Sequence, residues 1–469
     1  MDEADWAINE FGAALLGDNR RTARLIALAT VLAQRPEVSL PAACDDPAMR
    51  KGAYRFLENK AIEPAAILTG HGEATWERVA AVPVVLAVQD TTELDFSSHP
   101  ATTGLGPLRV ARNQGLLVHS TLAVTPEGLP LGLLAQEVWA RPEVPPEERT
   151  RKKAKRPPDE RESQKWFTSL AAVAAGREAA PQTALVSVGD READIYALFL
   201  APRPPGVDLL VRAQHDRWVR VARDEYQYIH GLRAEVAKAS LAGTREVLVS
   251  RQVGQPARMA SVTIRFLPVT LRPPDAFRNE WPAVHVWAVA VREETPPADV
   301  AEPLDWLLLT TVAVLTPADA LERVDWYICR WVVEVWHKVL KSGCAIERRQ
   351  LASAANLQRA LAVYSVIAWR LLSVTLLART APDVSCTALL EAAEWQALYC
   401  AIHKTIQPPS TPPTLGQAVR WLAQLGGHMG RKSDGPPGTE VLWRGLQRLV
   451  DLTLMYQVFT LRPGRRRCG

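Results

Sequence analysis

The alternation of apolar and polar residues divides the chain into a helical beginning, a strand-rich middle and a helical end. The segment GDNRRTARLIALATVLAQRP, near the start, offers Asp18 or Asn19 as an N-cap, continues with apolar residues at helical spacing and ends at Pro36. Residues 1–65 are therefore predicted to be helical. From residue 83 onward the pattern changes to short apolar, β-branched runs, which are typical of strands buried on both faces.

The middle of the chain predicts a mixed α/β sheet. Three strands come first, PVVLAVQD, GLLVHSTLAV and LPLGLLAQEVWA, and the turn TPEG joins the last two in a hairpin. A helix over residues 163–176, the strand TALVSVGD, the helix READIYALFL and the strand VDLLVRAQ follow. This order of elements is that of a mixed α/β fold.

A β-rich insertion over residues 215–304 interrupts this sheet. It contains the strand-like segments REVLVSRQV, MASVTIRFLPVTL and AVHVWAVAV, after which the strand DWLLLTT restores the first pattern. One long helix is predicted from about Ala318 to Lys341, and an apolar helix over residues 353–378. The rest of the chain is predicted to be helical with loops.

Composition excludes a fibrous or mainly disordered chain but does not decide whether the protein binds nucleic acid. Of the 469 residues, 48% are hydrophobic and 23% are charged, as in ordinary globular proteins. The net charge of +4 is too small to indicate a nucleic-acid partner by itself. The charge is unevenly distributed, because residues 420–469 hold nine Lys or Arg against three Asp or Glu, and residues 149–156 hold six positive charges and no negative one. The second segment is either a linker or a phosphate contact.

Neither the cysteines nor the apolar segments indicate secretion or a membrane. The six cysteines form no C-x-x-C pair, which favours scattered reduced thiols in a cytosolic protein. The beginning of the chain is acidic, unlike a signal peptide. The longest apolar stretch, residues 361–378, is interrupted by Arg370, Ser365 and Ser373, and is predicted to be a buried helix. We therefore expect a soluble cytoplasmic protein that contacts no membrane.

Two aspartates follow apolar strands of the predicted sheet. Asp90 ends PVVLAVQD, and Asp190 ends LVSVGD just before a helix. Each carboxylate is expected at the C-terminal end of its strand, where the ligand sites of α/β sheets lie. Each is also compatible with a capping role, and a helix cap fits Asp190 well.

The predicted helix around residue 334 carries a second group of residues that could serve in catalysis or binding. At about 100° per residue, Tyr327, Arg330, Glu334 and Lys341 fall within an arc of about 60°, while apolar residues cover the opposite face. This polar face is compatible with an exposed surface stabilised by an Arg330–Glu334 pair one turn apart. It is equally compatible with a carboxylate that holds a metal ion beside groups that hold a phosphate backbone.

Taken together, Asp90, Asp190 and Glu334 predict a two-metal site. Carboxylate oxygens are the ligands that hard divalent cations prefer, and three carboxylates can hold two such ions. Two ions about 3.5–4 Å apart activate a water or a 3′-hydroxyl for in-line attack on a phosphodiester. The phenol and the two cations of the same helix would then hold the scissile strand by its phosphates.

These residues resemble the DDE transposases of the IS-four family, and more closely the Tn-five type of bacterial cut-and-paste transposase. Asp90 lies in QDTTELDF, Asp190 in GDREADIY, and the spacing Y-x2-R-x3-E-x6-K is matched at every position in YICRWVVEVWHKVLK. Further likeness lies in LGDNRRTARL, GAYRF, LVHSTLAV, ESQKW, LVRAQH, DWLLLTT and AQLGG. The resemblance therefore covers nearly the whole chain.

The resemblance implies an α/β fold with an RNase H-like mixed-sheet catalytic core, interrupted by the β-rich insertion and flanked by helical N-terminal and C-terminal regions. It also implies a homodimer in a synaptic complex, in a cytoplasmic, nucleoid-associated bacterial protein. The implied domains are a helical DNA-binding domain (1–65), the first part of the catalytic core (66–214), the β-rich insertion (215–304), the second part of the core with the Glu334 helix (305–378) and a helical region for dimerisation and DNA contact (379–469).

The resemblance further implies a reaction and a role for each site residue. Asp90, Asp190 and Glu334 would bind two Mg²⁺, for which Mn²⁺ is expected to substitute, and the partners would be double-stranded DNA with inverted-repeat ends and a target DNA. The family nicks the transposon end, the freed 3′-hydroxyl forms a hairpin with the opposite strand, water reopens the hairpin, and the end is joined to target DNA. The residues expected to contact DNA are Tyr327, Arg330, Lys341, Arg212, Trp306, Trp331, Arg348, Asn356, Arg20, Arg21 and Arg24.

Some of these assignments have a plainer alternative. By resemblance Trp306 would stack on a base flipped out of the duplex and Trp331 would fill the vacated space, but both residues are also compatible with core packing. The arginines at 20, 21 and 24 cluster on the first turns of a predicted helix and form either a solvated face or a DNA contact.

Departures from the family leave the recognised DNA sequence and part of the function open. Gln350 and Ala352 stand where polar or charged DNA contacts are expected. An RNase H-like nuclease without strand transfer and an inactive DNA-binding inhibitor of transposition are the alternative functions. A glycosidase with paired carboxylates would give no reason for the Tyr/Arg/Lys face around Glu334.

Overall fold

The structure, a computed structural model, describes most of the chain. The described residues are 5–44, 46–110, 112–143, 162–221, 230–249, 257–298, 300, 302–388, 390–431 and 437–460. The basic segment 149–156, predicted to be a linker or a phosphate contact, lies outside the described residues, as does the end of the basic tail from residue 461.

The N-terminal region is helical, as the sequence predicts. Asp18 is the N-cap of the second helix, where its side chain accepts a hydrogen bond from the backbone N–H of Arg20. That helix buries Leu25, Leu28 and Leu32 along one side. The helices of this part are α1 (Asp5–Phe11), α2 (Asn19–Gln34), α3 (Leu40–Ala43), α4 (Pro47–Leu57) and α5 (Pro64–Ala80).

The remaining elements combine strands and helices. The strands are β1 (Val84–Asp95), β2 (Gly106–Pro107), β3 (Gln114–Val124), β4 (Pro130–Trp139), β5 (Ala184–Gly189), β6 (Val207–Arg212), β7 (Trp218–Arg220), β8 (His230–Gly231), β9 (Leu241–Val249), β10 (Arg258–Leu271), β11 (Val284–Arg292) and β12 (Asp305–Thr310). The further α-helices are α6 (Gln164–Ala175), α7 (Tyr196–Leu200), α8 (Leu232–Ala237), α9 (Pro317–Ile328), α10 (Trp331–Lys338), α11 (Ala354–Thr380), α12 (Ala392–His403), α13 (Leu415–Leu425) and α14 (Thr439–Thr460).

The strands form one mixed sheet, which confirms the α/β prediction. Their order is β2-β3-β1-β5-β6-β12-β11-β10-β7-β8, with β4 also paired to β3 and β9 to β10. β3 lies antiparallel to β1 and β4, whereas β5 runs parallel to both β1 and β6. One face of β1 packs with α6 in one hydrophobic core, and the other face packs with α11 in a second core.

The described residues between 215 and 304 are rich in strands, and these strands extend the same sheet. β12 is the link, because it lies antiparallel to β6 on one side and to β11 on the other. The insertion also contains the short helix α8, which packs against β10 and β11. The insertion is thus joined to the rest of the sheet by backbone hydrogen bonds.

The predicted helix READIYALFL is shorter in the structure. A 3₁₀ turn over Arg191–Ala193 precedes α7, and Asp194 and Ile195 separate the two. The buried Asp194 carboxylate accepts hydrogen bonds from the backbone N–H groups of Gln214 and His215 and pairs with Arg217. These tertiary contacts fix Asp194 outside the helix, which the apolar pattern alone could not indicate.

The single helix predicted from Ala318 to Lys341 is wrong, because the structure has two helices and a further turn there. Between α9 and α10 the backbone N–H of Arg330 bonds to the carbonyl of Tyr327, so the chain tightens from i→i−4 to i→i−3 bonding. A π turn follows over residues 339–343. β-branched valines crowd the first turns of α10 and lower its helix propensity. The apolar pattern did not reveal these changes of hydrogen bonding.

Helix α11 is long and apolar enough to span a membrane by length and composition alone. Its most apolar window is 72% buried inside the fold, which agrees with the predicted buried helix. It contacts α2, α4, α5 and β4, so it lies between the N-terminal helices and the sheet. The last helices, α12 to α14, share a separate hydrophobic core.

A buried ionic network joins α1 to α5 and the sheet. Glu10 accepts hydrogen bonds from His71 Nδ1 at 2.5 Å and from Arg78 Nη1 at 2.8 Å. His71 Nε2 accepts the backbone N–H of Leu133 in β4 at 3.0 Å, which identifies His71 as neutral. Burial raises the pKa of Glu10, but the hydrogen bonds from its two partners outweigh burial and lower the pKa overall. The network holds the first helix on the core.

We expect Glu10→Ala to lower the free energy of unfolding by about 3 kcal/mol, because it leaves the buried His71 ring and the partly buried Arg78 guanidinium without their acceptor. The measurement is urea unfolding followed by circular dichroism. Arg20→Ala serves as the control, since it removes the Arg20–Asp18 pair, in which the Arg20 side chain is 92% exposed. A loss as small as that of the control would mean that the Glu10 network does not stabilise the fold.

Candidate active site

The register of the parallel strands brings Asp90 and Asp190 to one edge. The pairing of β1 with β5 ends at Val88 opposite Val188, and each aspartate lies two residues further along its own chain. Asp190 follows the end of β5, as predicted. The expectation that Asp90 ends its strand is wrong, since β1 continues to Asp95 through its pairing with β3 alone. What ends near Asp90 is the parallel pairing.

Asp190 also has the capping role that its position suggested. Its Oδ1 accepts a hydrogen bond from the backbone N–H of Glu192 at 2.9 Å, at the start of the 3₁₀ turn. This bond fixes the orientation of the carboxylate at the end of β5. Capping and site formation are compatible here, because a carboxylate has further lone pairs for other partners.

Glu334 reaches the same edge through Arg330. The Arg330 guanidinium lies 2.5 Å from Glu334 Oε1 and 3.9 Å from Asp90 Oδ1, and its side chain is 14% exposed. The Arg330–Glu334 pair expected on a helix face is therefore present, but it spans the tight turn at the start of α10. Arg330 joins the glutamate of α10 to the aspartate of β1.

Burial and mutual repulsion shape the proton affinities of the three acids. Burial, with the negative charge of Asp90 among the lesser causes, raises the pKa of Asp190. Burial likewise raises the pKa of Glu334, against the lowering effect of Arg330. For Asp90, burial is outweighed by His337 and Arg330, so its pKa is lowered. The three carboxylates thus affect one another electrostatically.

Two histidines that the sequence patterns did not single out lie around Asp90. His337 Nδ1 is 3.5 Å from Asp90 Oδ2, and its buried Nε2 has no hydrogen-bond partner in the described structure. His119 lies in β3 and receives the Thr91 hydroxyl on Nδ1 at 2.9 Å, while its Nε2 faces Gln89 Oε1 at 3.3 Å. These residues form a polar layer behind the carboxylate edge.

Lys165 is a further residue that the sequence patterns left without a role. It lies in the segment ESQKW at the start of α6, is 6% exposed, and pairs with Glu192 at 2.9 Å. Because the Glu192 N–H holds Asp190, this buried cation contacts the residue that orients one of the acids. Its partner Glu192 is 27 residues away in the sequence, so no local pattern indicates the pair.

Tyr327, Trp306 and Arg212 extend the site along the sheet. The Trp306 and Tyr327 rings meet edge to face with centroids 5.1 Å apart, and the Arg212 guanidinium lies 5.8 Å from the Trp306 ring. Arg330 lies 5.9 Å from the Tyr327 ring. The structure therefore brings these four predicted DNA-contact residues into one series, with two adjacent rings between two cations, next to the acids.

Four other predicted DNA-contact residues are not members of this series. Lys341 lies in the π turn that follows α10, and its Nζ is 3.9 Å from Glu347 Oε1. Trp331 is 46% exposed at the start of α10. Arg348 is exposed, and the Asn356 side chain accepts a hydrogen bond from Arg359 at 3.2 Å.

The three N-terminal arginines have different environments. Arg20 pairs with Asp18, and Arg21 donates to the carbonyl of Leu16 at 3.0 Å. Arg24 is exposed, and its guanidinium lies against Gly52 of α4. Only part of this cluster therefore presents unshared positive charge at the surface.

The donor set of the acids fits a hard divalent cation, although the arrangement is not that of a closed metal site. Within the described residues, no group of three or more His, Cys, Asp or Glu side chains is close enough to hold a metal ion. The three acids nevertheless supply only oxygen donors, the ligands that Mg²⁺ prefers. Arg330 supplies positive charge between two of them.

Two family models match the chain, one at each end. Residues 3–62 match the transposase DNA-binding family, and residues 366–455 match the Tn5 transposase dimerisation domain. Both families are domains of transposases. The two matches support the Tn5-like transposase family for this chain, and the resemblance given by the sequence motifs is thus confirmed.

Among solved structures, the chain is similar to a piggyBac transposase in a synaptic complex with hairpin DNA. The identity is 9%, and the alignment covers 100% of this chain and 81% of that chain. The TM-score of 0.36 does not establish a common fold.

We expect His119 to stay neutral from pH 8 to pH 5. Burial, followed by the positive charge of Lys165, lowers its pKa to about 3. Nitrogen-15 NMR of the histidine rings measures this, with His119→Asn used to assign the resonance. A ring that titrates near its ordinary value of 6.5 would contradict a neutral polar layer behind Asp90.

Proposed function

We propose that the protein is a DNA transposase that cleaves the ends of a mobile element and joins them to target DNA. The observation that carries the proposal is the convergence of three acids from separate elements, with Arg330 between two of them, next to the Tyr327–Trp306–Arg212 series. The two transposase families matched at the ends of the chain support it.

We assign the catalytic core to an RNase H-like fold, with the domain limits expected from the sequence. The strand order β4-β3-β1-β5-β6, with β3 antiparallel to its neighbours and the others parallel to β1 or β5, supports this assignment. Residues 1–65 would bind the element's end and residues 379–469 would form the dimer. Exposed apolar residues near the end of α14, such as Leu454 and Phe459, support a second copy as the partner of that helix.

Asp90, Asp190 and Glu334 would hold two Mg²⁺ or Mn²⁺ ions. When bound, such ions lower the pKa of a water or 3′-hydroxyl and stabilise the leaving oxygen of the phosphodiester. The protein's own contribution is orientation. The register of β1 and β5 fixes both aspartates, the Glu192 N–H orients Asp190, and Arg330 sets the approach of Glu334.

The cations and rings beside the acids would hold the DNA strand. Arg330 and Arg212 offer guanidinium groups that can bind phosphate oxygens in a forked geometry. Trp306, held edge-on by Tyr327, presents a π face for a base that leaves the stack during hairpin formation. Trp331 is exposed beside the site and would occupy the space that the base vacates.

The reaction order follows from the resemblance. Water cleaves one strand to leave a 3′-hydroxyl, which attacks the opposite strand and expels the flanking DNA. A second water opens the resulting hairpin, and the 3′-hydroxyl then attacks a target phosphodiester, expelling a target 3′-oxygen. Each step exchanges one phosphorus–oxygen bond for another.

We expect Asp90→Ala, Asp190→Ala and Glu334→Ala each to abolish Mg²⁺-dependent strand cleavage while end binding persists. Cleavage depends on the carboxylates, whereas binding depends on other surfaces. The measurement combines gel-shift binding with cleavage of a duplex that carries the terminal inverted repeat, which is first to be identified in the DNA flanking this gene. Asp325→Asn, in an exposed Arg245 pair on α9, is the matched control and should cleave normally.

The products decide between the candidate functions. Joined donor–target DNA supports the transposase, and cleaved ends without joining would support a nuclease. Binding without any cleavage by the wild-type chain would indicate an inhibitor of transposition. Full cleavage by any of the three alanine variants would contradict the assignment of the acids.

We expect Trp331→Ala to slow hairpin formation by about tenfold or more while the first nick keeps its rate, because base–aromatic stacking is worth about 1–3 kcal/mol. Denaturing gels resolve nicked and hairpin products over time. Trp218→Ala is the control, since Trp218 is also exposed, at 55%, but lies in β7 of the insertion. An unchanged rate of hairpin formation would refute the proposed role of Trp331. The proposal that the three acids catalyse cleavage would still stand.

A further inference from the structure

One buried arginine connects the N-terminal helices to the chain that follows the catalytic helix. Arg349 is 5% exposed, and its guanidinium donates to the backbone carbonyls of Pro36 and Val38, which lie between α2 and α3. The same group donates to the carbonyl of Cys344 at 2.5 Å. One planar fork therefore bonds to two separate parts of the chain.

The Arg349 guanidinium is held by an aromatic ring as well as by hydrogen bonds. It lies 4.6 Å from the ring of Tyr364, in the buried helix α11. Tyr364 is 2% exposed, so the ring itself is held by the core. A lysine could keep the charge at this position, but it lacks the flat fork that stacks and donates in several directions.

The carbonyl that Arg349 holds belongs to the end of the Glu334 helix. Cys344 closes the π turn through its N–H bond to the carbonyl of Val339 at 2.8 Å, and this turn continues directly from α10. Ala345 then adopts a left-handed conformation with φ of 45°, which turns the chain back toward Arg349. A displacement of Cys344 would therefore move the C-terminal end of α10.

The same short segment also holds the strand of Asp90. Glu347 Oε1 accepts the backbone N–H of Asp95, at the end of β1, at 2.9 Å. The Glu347 carbonyl lies 3.0 Å from His99 Nε2. Residues 344–349 thus contact the N-terminal region, the catalytic helix and β1, which carry the proposed DNA-binding surface and two of the three acids.

We propose that Arg349 is a positioning residue that couples engagement of DNA by the N-terminal helices to the placement of Glu334 and Asp90. This inference rests on the proposed function, because it takes residues 1–65 as the surface that binds the element's end. A shift of the Pro36–Val38 carbonyls reaches Cys344 through one guanidinium. DNA binding and alignment of the acids are then mechanically linked.

Arg359 provides a matched control. It is also 5% exposed and also holds the N-terminal region, donating to the carbonyls of Ile62 at 2.6 Å and Leu57 at 3.3 Å. Its remaining hydrogen bond is to Asn356 on its own helix, and within the described part of the chain it makes no hydrogen bond to residues 344–349. Loss of either arginine fork should weaken the attachment of the N-terminal helices, but only Arg349 should affect the acids.

The test compares Arg349→Lys with Arg359→Lys in the full-length chain. We expect Arg349→Lys to bind the end duplex as the wild type does but to cleave it on the order of tenfold to 100-fold more slowly, the loss that a misplacement of about 1 Å produces. Arg359→Lys should cleave at the wild-type rate once bound. Glu347→Ala, at a half-exposed site, should reproduce the slow cleavage if Arg349→Lys does not fold.

Hydrogen exchange gives a readout that does not depend on cleavage. End DNA should slow amide exchange in both residues 19–57 and residues 331–349 of the wild type and of Arg359→Lys. In Arg349→Lys, protection of residues 331–349 should be lost while that of residues 19–57 remains. Equal protection of both segments in Arg349→Lys, or a cleavage loss matched by Arg359→Lys, would overturn the coupling.

The same experiment separates this inference from the function on which it rests. If end DNA protects no N-terminal helix and wild-type protein makes no cut, the proposed function fails. If wild-type protein binds and cuts and Arg349→Lys behaves identically, only the coupling fails.

Discussion

The charge of Arg330 is the constraint on which the arrangement of the site depends. Three acids at one edge of a sheet repel one another, and burial by itself would favour their protonated forms. A guanidinium stays charged at every physiological pH, and this one lies between Asp90 and Glu334. The tight turn that begins α10 is at Arg330 itself. The same backbone irregularity therefore places the positive charge beside the acids.

The strands give the site its rigidity. Val88 of β1 lies opposite Val188 of β5, and each aspartate follows two residues later in its own chain segment. The backbone hydrogen bonds between the two strands therefore set the separation of Asp90 and Asp190. β12 pairs with β6 and β11, which fixes Trp306 beside Arg212 and connects the insertion to the core. Side chains held on strands are placed more accurately than side chains on loops. The insertion is therefore joined by backbone hydrogen bonds to the strand that carries Trp306.

The sequence predicts what depends on local pattern and misses what depends on tertiary contacts. Apolar β-branched runs identify the core strands, and the position of Asp190 after β5 follows from one such run. The continuation of β1 past Asp90 depends on its pairing with β3, and the π turn that contains Lys341 depends on hydrogen bonding that an amphipathic pattern cannot show. His337 was missed because its partner, Asp90, is more than 200 residues away in the sequence.

Net charge fails as an indicator of DNA binding for a reason visible in individual cations. Arg349 and Arg359 add to the sum as much as Arg348 does, yet both are 5% exposed and direct their donors to backbone carbonyls. Their charges hold helices together and are screened from an approaching phosphate. Arg348, one residue before Arg349, is exposed. Because neighbouring arginines in one segment serve opposite purposes, a DNA-facing surface must be deduced from the exposure and the partners of each cation, and the total can be small while that surface is basic.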